Sequence, residues 1–133
     1  MEVLGEGECW QLLERTVWGR LAVIVGDHPE VFPVNIACYR KTIVFRLDPG
    51  TKLSAALGDA DVAFEVDDAD VATRQGWSVL AVGPAVRVGE PRVLAELEDL
   101  GLLPWVAGPK ADWLRLTPRR VSGRRLRPDL LAD

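Results

Sequence analysis

The residue types best able to do chemistry in this chain fall in one short stretch. Arg46 closes an apolar run, Asp48-Pro49-Gly50 turns the chain, and Thr51-Lys52 opens a segment with helical spacing. A helix N-terminus presents backbone N–H groups without partners. A guanidinium, a hydroxyl and an ammonium beside it make a donor set suited to one anion, phosphate foremost. The same residues admit a structural reading, in which Thr51 caps the helix while Arg46 and Lys52 are solvated, and the segment alone does not separate the two. Five tryptophans in 133 residues add a second motif. Trp10, Trp18, Trp77, Trp105 and Trp113 suit a core, yet Trp77 and Trp113 open strand-like runs, where planar ligands are held.

Other chemistries lack their parts. The single histidine, His28, sits beside Pro29 in a turn-like stretch, which removes His-based triads and multi-His metal sites. There is no G-x-S-x-G, P-loop or H-E-x-x-H. Gly5-Glu6-Gly7 lacks the third glycine of a dinucleotide fingerprint and precedes the first long strand-like run. The acids Glu65, Asp67, Asp68 and Asp70 lack calcium-loop spacing and read as a solvated loop after a strand. Cys9 and Cys38 are isolated thiols, expected as small buried hydrophobes. Net charge is −4, but Arg115, Arg119, Arg120, Arg124, Arg125 and Arg127 cluster near the C-terminus. With no basic–aromatic motif and an acidic remainder, no nucleic-acid partner is expected. No run approaches the roughly 20 apolar residues of a membrane span, and mean hydropathy is +0.07. Met1 to Glu6 shows neither the basic nor the apolar region of a signal peptide, so the expected location is the cytoplasm.

The elements that must position these residues are mostly strands. A length of 133 residues sets an expectation of one domain over 1–133. Glu8 to Arg15 reads as an amphipathic helix on Cys9, Leu12 and Leu13. Gly19 to Val25 and Val31 to Tyr39 form a hairpin around Gly26-Asp27-His28-Pro29, and Thr42 to Leu47 follows the turn Arg40-Lys41 as a third strand. A short helix over Thr51 to Leu57 is expected next, with Leu53, Ala56 and Leu57 inward. Asp61 to Val66 makes a fourth strand and Trp77 to Val88 a fifth, with a bulge or bend at Gly83-Pro84. Pro91 to Leu100 is helical on Val93, Leu94, Leu97 and Leu100, and Trp113 to Thr117 alternates as a sixth strand. Strands dominate without βαβ alternation. The fold class is therefore mainly β (α+β): a six-stranded antiparallel split or closed barrel with short flanking helices.

Arg20-Leu21-Ala22-Val23, Phe32-Pro33-Val34-Asn35, Ile43-Val44-Phe45-Arg46, Gly50-Thr51-Lys52-Leu53, Val62-Ala63-Phe64-Glu65 and Gly76-Trp77-Ser78-Val79 occur in this order. Together they resemble the short flavin-binding branch of the pyridoxamine 5′-phosphate oxidase-like proteins, over nearly the whole chain. The resemblance implies a split barrel that forms a homodimer and holds FMN, or alternatively a deazaflavin coenzyme, at the subunit interface. It implies that Thr51 and Lys52, with Leu53 beside them, grip the phosphate and that Arg46 assists. Val34, Asn35 and Phe45 would line the isoalloxazine or ribityl part. Trp77 and Ser78 would reach the cofactor of the other subunit, and Trp113 would close the pocket. Two departures narrow the activity. There is no histidine after His28, so pyridoxamine phosphate oxidation is not expected, and Ala111-Asp112 stands where relatives of this type often have a histidine before the tryptophan of the last strand. What remains is a flavin-dependent oxidoreductase of unstated substrate, a non-catalytic flavin-binding protein, or a cofactor-free interaction module whose dimer groove has lost its ligand. In the first the cofactor carries the redox chemistry and the protein supplies binding and orientation.

Overall fold

Two tight turns set the front of the chain. Val25 faces His28 across Gly26-Asp27, and Gly26 takes φ +66°, as a type II′ hairpin requires at its first central position. Tyr39 faces Thr42 across Arg40-Lys41. There φ is positive at both residues, 48° and 60°, the requirement of a type I′ turn. The computed structural model describes residues 1–47, 57, 58, 60–102 and 112–128. Its elements are β1 (Glu2–Leu4), α1 (Glu6–Glu14), β2 (Trp18–Val25), β3 (His28–Asn35), β4 (Ala37–Tyr39), β5 (Thr42–Leu47), β6 (Asp61–Asp70), β7 (Gln75–Arg87), α2 (Pro91–Glu98), β8 (Asp112–Leu116) and β9 (Arg120–Leu126).

All strand pairs are antiparallel. They follow the order β3-β2-β6-β7-β8-β5-β4, with β9 joined to β7 and β1 to β9, which is the expected split barrel. Strand β7 ties its halves together. Gly76 to Val82 pairs with β9, whereas Ala85 to Arg87 pairs with β8, so the neighbour changes at Gly83-Pro84. A Cβ on Gly83 would lie 2.2 Å from the Thr117 carbonyl oxygen, and only glycine lets the chain cross there. The expected bend coincides with a change of partner, and β6 stays paired with β7 as far as Pro84.

Side chains alternate about this sheet. Leu21, Val23, Phe64, Val79, Phe45 and Leu116 fill the interior, and Cys9, Leu12 and Leu13 of α1 complete it. A second cluster lies outside β4, β5 and β8, where Val93 and Leu97 of α2 cover Val44, Tyr39 and Trp113. Strand β5 is therefore buried on both faces from Thr42 to Phe45, which explains its unbroken apolar run.

The sequence-based expectation of six strands is corrected to nine among the described residues. The run Val31 to Tyr39 divides at Ile36, whose N–H bonds the Val17 carbonyl at 3.1 Å as the chain passes from β3 to β4. His28 lies in β3, not in the turn. The expected acidic loop at Asp67, Asp68 and Asp70 is the end of β6; the turn proper follows Asp70, whose Oδ1 accepts from the N–H groups of Ala72 and Thr73 at 2.9 and 3.3 Å. The basic C-terminal segment is strand β9, and Glu2–Leu4 pairs beside it. The helix expected over Thr51 to Leu57 lies outside the described residues except for Leu57, which packs on the core.

Candidate functional site

The predicted site residues divide between one corner of the barrel and the long strand β7. At the corner, β3 ends in Val34 and Asn35. Val34 is buried against the core, while Asn35 donates from Nδ2 to the Val17 carbonyl at 3.2 Å. A cleft of about 270 Å³ opens here, lined by Val17, Asn35, Ile36, Ala37, Leu100, Gly101 and Leu102. Phe45 is wholly inside the barrel at 0% exposure, so its side chain supports the corner from within.

Arg46 follows Phe45 on the opposite face and is paired across the strands with Trp113. Its guanidinium carbon sits 5.1 Å from the centre of the Trp113 ring, within cation–π range. Glu98, at the end of α2, holds both partners. Its Oε1 accepts from Trp113 Nε1 at 2.9 Å and lies 3.8 Å from Arg46 Nη2. Arg46 Nε is buried and has no hydrogen-bond partner, although a buried unpaired donor costs about 1–3 kcal/mol. Among the described residues no acceptor faces this donor. The chain then runs on into residues 48–56, so Thr51, Lys52 and Leu53 lie outside the described residues.

Trp77 and Ser78 are neighbours on β7 and consequently point to opposite faces of the sheet. Trp77 packs partly on the core and lines a cleft of about 550 Å³ with Asp68, Asp70, Gln75, Arg125 and Arg127. Ser78 is on the other face, in register with Asp67 and Arg124. Within one chain Arg46 therefore meets Trp113, Asn35 lines the cleft bounded by Leu102, which packs against the Trp113 cluster, and Trp77 lies on a different cleft.

Two further clusters escaped sequence reasoning. Arg20 of β2 bridges two carboxylates of β6, with Nη1 3.3 Å from Glu65 and Nη2 3.1 Å from Asp67. Partial burial, and after it the neighbouring Asp67 carboxylate, push the Glu65 carboxyl up to about 7, against the opposing pull of Arg20. The i, i+2 spacing of Glu65 and Asp67 is a sequence signal for one shared face, visible once β6 is seen to run through Asp70. The second cluster is structural. The Tyr39 hydroxyl donates to Glu96, which raises the phenol and lowers the carboxyl, while Arg40 and Arg115 lie 5.4 and 5.0 Å from the Tyr39 ring. Glu98, which organises Arg46 and Trp113, carried no sequence signal beyond its place near the end of a helix. The two thiols are passive: burial raises both, Cys38 to about 11.

Set against known proteins, residues 5–125 match the profile of the family described as pyridoxamine 5′-phosphate oxidase. An uncharacterized protein of Mycobacterium tuberculosis is 32% identical over 131 residues, which cover 95% of this chain and 86% of that one. The structure of an FAD binding protein from Mycobacterium smegmatis superposes with a TM-score of 0.85 at 38% identity, covering 96% of this chain and 100% of the other. An FAD-binding protein from Mesorhizobium loti shares the fold, with a TM-score of 0.73 at 23% identity over 94% of this chain and 97% of its own.

Proposed function

Because this chain belongs to the pyridoxamine 5′-phosphate oxidase family, we propose that it binds a flavin coenzyme with its phosphate end at the Arg46 corner and works as a homodimeric flavin-dependent oxidoreductase. The observation that carries this reading is the buried, unpaired Arg46 Nε, set over Trp113 and a few residues before Thr51-Lys52. A phosphate oxygen supplies the missing acceptor in a charge-assisted hydrogen bond. FMN, FAD and deazaflavin coenzymes all carry such a phosphate. The FAD bound by the Mycobacterium smegmatis relative makes the dinucleotide the form to test beside FMN.

A bound flavin supplies hydride and electron transfer. The chain's own residues bind and orient. Trp113 and Glu98 hold the Arg46 guanidinium in place, Thr51 and Lys52 complete the phosphate grip, and Asn35 frames the neighbouring cleft. Phe45 and Val34 stiffen the corner from inside. The described residues offer no histidine or thiol poised as an acid, base or nucleophile at this corner, which suits a reaction carried by the coenzyme.

The homodimer is supported by the outer face of β3, β2, β6 and β7, which neither described helix covers. Across it Val31, Ala22, Ala63 and Val82 stand in register, and Val31 and Ile24 are 60% and 59% exposed. A row of small and apolar side chains across the sheet fits a second copy of itself. Glu65 and Asp67 share Arg20 on this face, while Arg124, on the same face of β9, has no acid partner among the described residues. Two-fold symmetry lets the acidic centre of one copy approach the basic flank of the other. Ser78 lies between them, where the partner's coenzyme would be reached.

The test is a titration of purified protein with FMN, FAD and a deazaflavin coenzyme, followed by absorbance and fluorescence, with mass measured by light scattering. Saturation near one coenzyme per chain on a species of twice the chain mass is expected. Absence of saturable binding by all three removes the flavin reading, and a monomer that binds flavin removes only the dimer. Turnover with reduced nicotinamides or deazaflavin separates an enzyme from a non-catalytic flavin carrier.

A further inference from the structure

At the far end of β5 from Arg46, a cleft of about 440 Å³ opens between the first turn of α1, the Arg40-Lys41 turn and the corner joining β8 to β9. Its wall at Pro118 and Arg119 is fixed, because Thr117 N–H bonds the Pro84 carbonyl at 3.1 Å and Arg119 N–H bonds the Val82 carbonyl at 2.8 Å. Arg119 is neutralised by Asp61 at 3.0 Å. Two cations are not neutralised. Lys41 has its ammonium 5.3 Å from the centre of the Trp10 ring and no acid partner among the described residues, and the same is true of Arg120. Glu6 is the one acid on the lining, so the cleft stays positive in a chain whose net charge is −4.

The turn that presents Lys41 points the same way. A type I′ turn is suited to Asn-Gly, since both central residues take positive φ, yet Arg40 and Lys41 hold φ 48° and 60°. Backbone strain of this kind persists only where the surrounding structure holds it. Arg40 is accounted for by Glu96, 3.6 Å away. Lys41 packs on the Trp10 ring, itself on the lining of the cleft.

We propose that this cleft is an anion site, separate from the flavin corner, for a phosphate monoester. Lys41 and Arg120 both line the cleft and carry the positive charge that a dianionic phosphate requires. The space is several times what a phosphate fills, and Pro118 and the Trp10 ring offer an apolar wall for an organic group. The site depends on no part of the flavin reading.

Phenyl phosphate and inorganic phosphate are the probes, titrated into flavin-loaded protein and followed by backbone amide shifts in two-dimensional NMR. Saturable shifts at Lys41 and Arg119 to Val121 are expected, with phenyl phosphate the tighter. Lys41→Gln and Arg120→Gln should each weaken it tenfold or more, whereas Arg46→Gln leaves it unchanged. The double change Arg40→Asn with Lys41→Gly relieves the turn, so it should unfold at no lower temperature than the parent while losing the binding. The proposal is overturned by shifts that do not saturate, by equal affinity in Lys41→Gln and Arg120→Gln, by inorganic phosphate binding as tightly as phenyl phosphate, or by dependence on Arg46.

Discussion

The two outer faces of the barrel are treated in opposite ways. Outside β4, β5 and β8, helix α2 lays Val93 and Leu97 over Val44 and Trp113, and the face is closed by the chain itself. Outside β3, β2, β6 and β7 the apolar row is shorter in side chain and left open, with Val31 and Ile24 more than half exposed. The closed face uses large residues, Trp113 and Tyr39, which one helix can cover. The open face uses Ala22 and Ala63, which let a second sheet approach closely but bury little by themselves. On the homodimer reading proposed above, one face serves stability and the other association, and substitutions should separate the two properties.

The largest effect belongs to the closed face. Leu97 is fully buried, and Leu97→Ala should lower unfolding free energy by about 2–5 kcal/mol through lost burial and the cavity left behind, measured by urea denaturation with mass unchanged. Next comes Arg46→Gln at the edge of that face, expected to weaken flavin binding by about 1–3 kcal/mol, the scale of a hydrogen bond to a charged group, with little change in melting temperature. Equal affinity in the titration would take Arg46 out of the site.

On the open face, Glu65→Gln should alter the pH profile more than the stability itself. The Glu65 carboxyl is raised in the folded chain from 4.5 to about 7, so the folded state holds its proton more tightly than the unfolded one. Its contribution is therefore most favourable below pH 4.5 and declines as pH rises toward 7. Gln should flatten that part of the stability curve and raise stability above pH 7, which thermal melts from pH 4 to 8 will show. The smallest effect on stability is expected for Val31→Ala, within about 0.5 kcal/mol for the dilute monomer, although the same change should raise the dimer dissociation constant. If Val31→Ala destabilises the chain as much as Leu97→Ala, the contrast between the faces is lost.

How far the sequence carried this reading depends on how each element is packed. β5 was legible because burial on both faces demands the continuous run Ile43-Val44-Phe45, and α1 and α2 because one buried stripe each leaves a helical period. β9 was not. Its inward position nearest α1 is Gly123, where a Cβ would meet Cys9 Sγ at 2.7 Å, so packing removed the apolar residue by which a strand is recognised. The extension of β6 to Asp70 was hidden because it overhangs β2, which begins at Trp18, and acids there face solvent. Of the candidate site, the pairing of Arg46 with Trp113 needed the register of β5 on β8, a contact between residues 67 positions apart that no local pattern encodes. The switch at Gly83-Pro84, by contrast, was announced by the two residues best suited to it.

That switch bears on how such a chain can change over generations. β7 is held by β6 along nearly its whole length and by different neighbours on either side of Gly83. An inserted or deleted residue near Gly83 would reverse inside and outside for one half of the barrel while leaving the other alone. The turn after Asp70 has no such constraint, and it borders the cleft that contains Trp77. A change of length at this hairpin tip would reshape the cleft beside Trp77 without shifting the register of the frame, a freedom that the crossing at Gly83 does not have.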